Sequence, residues 1–124
     1  MKALIVDDER LARKDLIQLL AKFPKLEVIG EAQDAIEAEE KINELQPDVV
    51  FLDIQMPGKS GFELLEELQF PPAIIFVTAH DEHALKAFEV SAMDYLMKPV
   101  EPKRLEDAVD KLLSRWEATS SPVA

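Results

Sequence analysis

The chain has 124 residues, no cysteine and a formal net charge of −11, with 25 acidic and 14 basic side chains. This length predicts a single domain, and the lack of cysteine excludes a disulfide framework and thiolate chemistry. The acidic balance argues against direct binding to nucleic acid or to an anionic membrane. No apolar run approaches membrane-spanning length and no signal peptide precedes the first run, so we expect a cytoplasmic protein without membrane association.

Apolar runs alternate with helical patterns along the chain. The predicted strands are Ala3–Val6, a weaker edge strand at Leu26–Ala32, Val49–Asp53, Ala73–Thr78 and Asp94–Met97. The predicted helices between them run from about Ala12 to Phe23, where Pro24 ends the helix, over Ala35–Leu45, through a short helix with Phe62, Leu65 and Leu68 inward, and around Ala84–Val90. A last helix carries Leu105, Val109, Leu112 and Leu113. Such strand–helix units predict an α/β fold with a parallel sheet and right-handed crossovers. We place the domain at residues 1–116 and a tail or the start of a linker at residues 117–124.

Three aspartates directly follow or end apolar strands. Asp7 and Asp8 come after the first strand, and Asp53 ends the third. Because functional groups of an open parallel sheet gather at the carboxyl ends of its strands, we expect these acids to meet at one edge. Carboxylates held together repel one another unless a cation lies between them, and Mg²⁺ prefers such oxygen ligands. Asp7 and Asp8 are also explained as caps of the following helix, but capping does not account for Asp53.

Two further polar residues end neighbouring strands. Thr78 closes the fourth strand and precedes the small Ala79, and Lys98 follows the fifth strand. A hydroxyl there can donate to a phosphoryl oxygen, and an ammonium supplies a point charge to a phosphate. Taken singly, they are also explained as a β-branched strand residue and a surface lysine. The bond to Pro99 is a candidate cis peptide that would aim the lysine inward. Together with the acids, these residues predict a magnesium-assisted phosphoryl-acceptor site with Asp53 as the nucleophile.

Four motifs carry a resemblance to a known family. They are Ile5-Val6-Asp7-Asp8-Glu9, Val50-Phe51-Leu52-Asp53-Ile54-Gln55-Met56-Pro57, Val77-Thr78-Ala79 and Asp94-Tyr95-Leu96-Met97-Lys98-Pro99. In these motifs the chain resembles the receiver domain of two-component response regulators, over residues 1 to about 115. The resemblance implies a flavodoxin-like, doubly wound sheet of five parallel strands in the order 2-1-3-4-5, with helices on both faces.

The resemblance also implies how the acidic residues act. Asp53 would take a phosphoryl group from a sensor histidine kinase. Asp8, Asp53 and the backbone carbonyl of Gln55 would bind Mg²⁺ directly, while Asp7 would act mainly through metal-bound water. Gln55 and His80 would tune how fast water reaches the acyl phosphate, and hence its lifetime.

A conformational switch is implied as well. Thr78, Ala79 and Lys98 would contact the phosphoryl group. Thr78 would move toward a phosphoryl oxygen, and the aromatic ring of Tyr95 would rotate into the space left behind. Such a switch is a packing element with two stable arrangements, biased by a new dianion. A half-buried strand aromatic without a switching role also explains Tyr95.

The segment from Thr78 to Val90 is similar to receivers that precede a LytTR-type DNA-binding domain. We therefore expect the output to be transcription regulation through a domain that is absent from these 124 residues. The resemblance also suggests homodimerisation on phosphorylation, through the face made by the fourth helix, fifth strand and fifth helix. The receiver itself is not expected to bind DNA, because it lacks clustered Lys and Arg.

Other functions are less well supported. Aspartyl-phosphate hydrolases carry a general-acid aspartate two residues after the nucleophile, where this chain has Gln55, so we expect a signalling phosphoacceptor that assists its own phosphorylation and dephosphorylation rather than an enzyme. A nucleotide-binding domain is disfavoured by only three glycines and no glycine-rich loop after the first strand. A receiver that binds partners without phosphorylation stays open. His80 and His83 are better explained as exposed residues at a helix start than as metal ligands.

Overall fold

A computed structural model describes residues 1–80, 84–90 and 92–120. His83 and residues 121–124 of the predicted tail lie outside the described residues. The described part forms strands and helices in strict alternation, as the sequence predicts. They are β1 (Lys2–Val6), α1 (Arg10–Leu20), β2 (Glu27–Ala32), α2 (Ala35–Leu45), β3 (Val49–Leu52), α3 (Gly61–Glu67), β4 (Ala73–Thr78), α4 (Ala84–Glu89), β5 (Asp94–Met97) and α5 (Pro102–Ser120).

The strands form one parallel sheet in the order β2-β1-β3-β4-β5, which confirms the predicted order. The weak strand β2 lies at an edge, as expected. In the register of the sheet, Val6 lies opposite Leu52, and Thr78 lies opposite Met97. The carboxyl ends of β1, β3, β4 and β5 therefore follow one another along a single edge of the sheet.

Each face of the sheet has its own apolar core. Because side chains alternate along a strand, Leu4 and Val6 belong to one core and Ala3 and Ile5 to the other. Helices α2, α3 and α4 cover the first face, and α1 and α5 cover the second. Burial on both faces explains why the central strands read as continuous apolar runs. Within the described ranges, no helix combines the length and apolar character needed to cross a bilayer.

Local hydrogen bonds fix the loop that leaves β3. The side chain of Ser60 accepts a hydrogen bond from the backbone N–H of Glu63 at 3.2 Å, and the Glu63 carboxylate accepts one from the backbone N–H of Ser60 at 3.1 Å. This capping box satisfies backbone donors that the first turn of a helix leaves unpaired. It sets where α3 begins, and so limits the path that the chain takes after Asp53.

One helix is shorter than predicted, and the last helix extends into the proposed tail. Helix α1 ends at Leu20, and a turn then brings Phe23 back against the core before Pro24. Because Phe23 continues the apolar spacing of the helix, the spacing alone does not distinguish this turn from a further helical turn. Helix α5, for which no end was predicted, continues to Ser120, so residues 117–120 of the proposed tail or linker start are helical. Residues 117–120 carry no apolar pattern, so the sequence gives no sign of this extension.

Candidate metal centre

Three aspartates meet at the carboxyl edge of the sheet. Asp7 and Asp8 directly follow β1, and Asp53 directly follows β3, the neighbouring strand. The backbone N–H of Asp53 donates to the carbonyl of Val6 at 2.9 Å, which extends the pairing of the strands by one residue. One carboxylate oxygen from each of the three acids lies within 4.8 Å of the others. The predicted convergence of these acids is therefore observed.

The burial of these acids differs. Asp7 and Asp53 are each only 5% exposed, whereas Asp8 is open to solvent. Charged groups that leave water lose much of their hydration, so they need a counterion or hydrogen bonds. Asp7 accepts a hydrogen bond from the backbone N–H of Glu9 at 2.9 Å, and Asp53 accepts a long one from that of Gln55 at 3.4 Å. These bonds leave most of the negative charge for a cation to neutralise.

Lys98 supplies one positive charge to the acids. Its backbone N–H donates to the Thr78 carbonyl at 2.8 Å, and the Lys98–Pro99 peptide bond is cis, the isomer considered from the sequence. The Lys98 Nζ atom lies 2.6 Å from Asp7 Oδ2, 3.3 Å from Asp53 Oδ2 and 3.8 Å from Glu9 Oε1. A single ammonium thus serves several carboxylates and leaves the cluster with an excess of negative charge.

The ionisation of Asp53 and Lys98 reflects this imbalance. Burial raises the pKa of Asp53, Lys98 acts to lower it and Asp7 acts to raise it, and the net pKa is raised. Burial acts to lower the pKa of Lys98. The hydrogen bonds and negative charges of Asp7 and Asp53 act to raise it and outweigh burial, so the pKa of Lys98 is also raised. The lysine therefore stays charged, while Asp53 is incompletely compensated.

The donor set fits a hard divalent cation. All the side-chain donors are carboxylate oxygens, from Asp7, Asp8 and Asp53. Ions such as Mg²⁺ bind such oxygens and keep waters or phosphate oxygens in their other positions, whereas softer metals favour nitrogen or sulfur ligands. The exposed Asp8 leaves the cluster accessible from solvent. The acidic pocket can therefore hold a metal ion of this class.

The residues predicted to form a switch lie at the adjoining strand ends. The Thr78 hydroxyl is fully buried and makes no hydrogen bond within the part of the chain that the structure describes. The Tyr95 hydroxyl donates to the backbone carbonyl of His80, and its ring centroid lies 6.5 Å from that of Phe76. Tyr95 is therefore packed against the core, with its hydroxyl at the loop after β4. Ala79, between Thr78 and His80, is exposed.

Three residues near the site were not predicted from the sequence to take part in it. Glu9 approaches Lys98, and Arg13 donates from Nη1 to the Asp7 carbonyl at 2.7 Å. Lys86 on α4 has its Nζ 4.7 Å from the centroid of the Phe62 ring, a cation–π geometry. Lys86 and Asp8 line the same groove of about 520 Å³. For Arg13 and Lys86 no motif or spacing signals the contact, since each depends on how a helix lies against another segment.

The sequence and the fold are similar to those of known proteins. The chain matches the family model of the response regulator receiver domain over residues 3–110. It therefore belongs to this family of receiver domains of two-component signalling systems.

Individual relatives support the same assignment. The chain is 56% identical over 115 residues to an uncharacterized response regulatory protein of Vibrio cholerae; the alignment covers 91% of this chain and 48% of that protein. It is 46% identical over 114 residues to the sensory transduction protein LytT of Bacillus cereus; the alignment covers 90% of this chain and 46% of that protein. The response regulatory domain of protein mrkE from Klebsiella pneumoniae superposes with a TM-score of 0.88 at 36% identity, over 95% of this chain and 99% of that one. The chain thus spans about half the length of the Vibrio cholerae and Bacillus cereus proteins that it matches.

Proposed function

We propose that this receiver domain accepts a phosphoryl group on Asp53 from a histidine kinase, with Mg²⁺ bound in the acidic pocket. One observation carries the proposal. The Asp53 carboxylate is almost fully buried, yet it lies within 4.8 Å of the acids of the metal cluster and 3.3 Å from an ammonium. A carboxylate in such surroundings has both an activating cation site and a charge partner for an incoming dianion.

The transfer is a displacement at phosphorus. An oxygen of Asp53 attacks, the P–N bond of a phosphohistidine breaks, and its electron pair stays on the imidazole nitrogen, which takes up a proton. Bound Mg²⁺, held by Asp8, Asp53 and the Gln55 carbonyl with Asp7 acting mainly through metal-bound water, would neutralise charge on the phosphoryl oxygens. Lys98 would turn its ammonium from the acids to the new phosphoryl group.

The buried Thr78 hydroxyl supports a switch. A donor without a partner gains a strong hydrogen bond when a phosphoryl oxygen comes within its reach, which favours a movement of Thr78 toward the site. Tyr95 would respond by repacking, because its hydroxyl is bonded to the segment that immediately follows Thr78. Ala79 would offer its backbone to the phosphoryl group, and Gln55 and His80 would govern the access of water.

This function is signalling rather than hydrolysis of a substrate. Hydrolases of the aspartyl-phosphate type need a general acid two residues after the nucleophile, and the amide of Gln55 cannot supply a proton in that role. The phosphorylated form would therefore persist until water attacks it. Its lifetime would be set by the residues at the mouth of the site rather than by a dedicated catalytic acid.

The output is proposed to be transcription regulation. The chain covers 46% of the sensory transduction protein LytT, so relatives of this type carry a further segment of comparable size. Together with the similarity of the Thr78–Val90 segment to LytTR-type regulators, this favours a DNA-binding output domain, controlled through phosphorylation-driven homodimerisation. The receiver would not contact DNA itself, since its net charge is −11.

Phosphorylation with a small donor tests the proposal. The 124-residue protein is incubated with acetyl phosphate and Mg²⁺, and its intact mass is measured. We expect the addition of one phosphoryl group, its absence without Mg²⁺, and its loss in Asp53→Asn. Asp110→Asn, at an exposed position on α5, is the matched control and should be labelled like the wild type. Equal labelling of Asp53→Asn would overturn the assignment.

A further inference from the structure

Arg13 contacts the backbone at the acidic cluster from outside it. Its side chain is only 14% exposed. Its Nη1 atom donates to the backbone carbonyl of Asp7 at 2.7 Å, and its Nε atom donates to the Glu31 carboxylate at 3.0 Å. The guanidinium therefore joins α1, the end of β1 and the edge strand β2. Hydrogen bonds from a guanidinium are stronger than those between neutral groups, and its planar donors define direction.

The carbonyl that Arg13 holds lies between two acids of the cluster. It belongs to the peptide unit that joins Asp7 to Asp8, and rotation of this unit would change the directions of both side chains. The neighbouring N–H of Asp7 donates to the Ala32 carbonyl at 3.0 Å, so the preceding peptide is already fixed by β2. Arg13 thus supplies the restraint at the point where the chain leaves the sheet.

We propose that Arg13 is a positioning residue for the cation site, with Glu31 as its anchor. It holds the peptide between Asp7 and Asp8 so that both carboxylates face the same cation. This inference rests on the proposed function, because it assumes that the cluster binds Mg²⁺. The anchor keeps the guanidinium beside the carbonyl and partly neutralises its charge, which would otherwise oppose a nearby cation.

Geometry and charge predict opposite effects of removing Arg13. Loss of the positive charge alone would strengthen Mg²⁺ binding, because one repulsive group disappears. Loss of the restraint would weaken it, because the acids no longer share one orientation. Arg10, exposed at the start of α1, provides a matched control: Arg10→Met removes the same charge from the same helix without removing the bond to the Asp7 carbonyl.

The experiment measures Mg²⁺ affinity by calorimetry, without a phosphodonor, for the wild type, Arg13→Met, Arg13→Lys and Arg10→Met. We expect Arg13→Met to bind Mg²⁺ roughly tenfold more weakly, as is typical when a residue that orients metal ligands is lost. Arg13→Lys should recover part of the affinity, since an ammonium can reach the carbonyl but cannot also replace the bond to Glu31. Arg10→Met should bind at least as tightly as the wild type.

A second measurement does not depend on the metal. The amide shift of Asp8 in Mg²⁺-free protein should move in Arg13→Met and stay unchanged in Arg10→Met. Equal Mg²⁺ affinities of the two methionine variants, or an unperturbed Asp8 amide in Arg13→Met, would overturn the inference. If Arg13→Met does not fold, Arg13→Lys and Glu31→Ala decide: wild-type affinity in both overturns it. A wild-type protein that binds no Mg²⁺ would instead overturn the proposed function, and this inference with it.

Discussion

The ammonium of Lys98 lies 2.6 Å from the carboxylate of Asp7, closer than the 3.3 Å that separates it from Asp53. The lysine is therefore a counterion of the same acids that would bind a divalent cation. A residue in this position would oppose binding of the metal before phosphorylation and would stabilise the phosphoryl group afterwards. The two roles can be separated by experiment.

Lys98→Ala should strengthen Mg²⁺ binding while it weakens the response to phosphorylation. Removal of a positive charge that contacts two of the acids that would hold the metal is expected to raise the Mg²⁺ affinity by roughly tenfold, a modest value for such a pair. Calorimetry gives the affinity, and amide shifts on addition of beryllofluoride give the response. Lys103→Ala, at an exposed position on α5, serves as the control. Mg²⁺ affinity that is unchanged in Lys98→Ala would show that the lysine does not compete with the cation.

Thr78→Val should separate stability from switching. The valine keeps the shape of the side chain but removes a buried hydroxyl without a partner among the described residues. We therefore expect the free energy of unfolding to stay the same or to rise by roughly 1 kcal/mol. We also expect the repacking of Tyr95 on phosphorylation to be lost. Urea unfolding and NMR measure the two effects. Thr78→Ser keeps the hydroxyl and should switch; failure of the serine variant to switch, or full switching by valine, would contradict the role of the hydroxyl.

Gly61→Ala should disturb the site through the backbone. A Cβ at this position would lie 2.6 Å from the carbonyl oxygen of Asp53 and 3.2 Å from the Cα of Ile54. Because backbone atoms must move, we expect a loss of about 1–3 kcal/mol of stability and slower phosphorylation. Gly30→Ala is the matched control, since the nearest atoms to its Cβ would all be side-chain carbons, at 3.3 Å or more. Equal behaviour of the two variants in unfolding and labelling would exclude this mechanism.

The ion pair between Asp94 and Arg104 predicts a pH dependence. Burial alone would raise the pKa of Asp94, but the hydrogen bonds from Arg104, at 2.5 and 3.2 Å, and from the Tyr95 backbone outweigh it, so the pKa is lowered from 3.8. A carboxyl whose pKa is lowered by folding stabilises the folded state above its unfolded pKa and loses this effect as the pH falls through the folded pKa.

The stability difference between the wild type and Asp94→Asn should therefore be constant from about pH 7 to about pH 5 and shrink below about pH 4. Urea titrations at each pH measure it, with the exposed Asp110→Asn as the control. A difference that persists unchanged into strong acid would mean that the substitution acts through packing rather than through the ionised pair.

Phosphorylation should promote a dimer through α4, β5 and α5. Lys111 is exposed on α5, so Lys111→Glu changes a charge of this face without breaking the internal pair of Arg104. In a two-fold dimer each substitution is present on both subunits, so its effect on dimer stability is doubled, although a single exposed ion pair contributes only about 0–1 kcal/mol. Sedimentation with and without beryllofluoride should show a dimer in the wild type and a weaker one in Lys111→Glu, with Lys14→Glu on α1 as the control. An unchanged monomer at all concentrations would rule out dimerisation by this domain.

The sequence predicts the frame of the site better than its details. The sequence is enough to predict that Asp7, Asp8 and Asp53 lie close together, because the carboxyl ends of the strands of a parallel sheet share one edge. The partners of Arg13 and Lys86 could not be predicted, since they depend on how helices lie against neighbouring segments of the fold. The helical state of residues 117–120 could not be predicted either. Helical backbone bonds form there without an apolar face to mark them.

The 19-residue helix α5 has a mechanical consequence. At 1.5 Å per residue it is about 28 Å long, so a tilt of roughly 5° about its first turn would displace its far end by about 2.5 Å. That end is fastened by a bond between Lys25 and Glu117, at 2.7 Å, whose side chains are both largely exposed to water. Dissolved salt weakens such contacts. A small tilt beside β5 is therefore magnified at the far end of the helix, and the contact between Lys25 and Glu117 that helps to restrain this end weakens as the ionic strength rises.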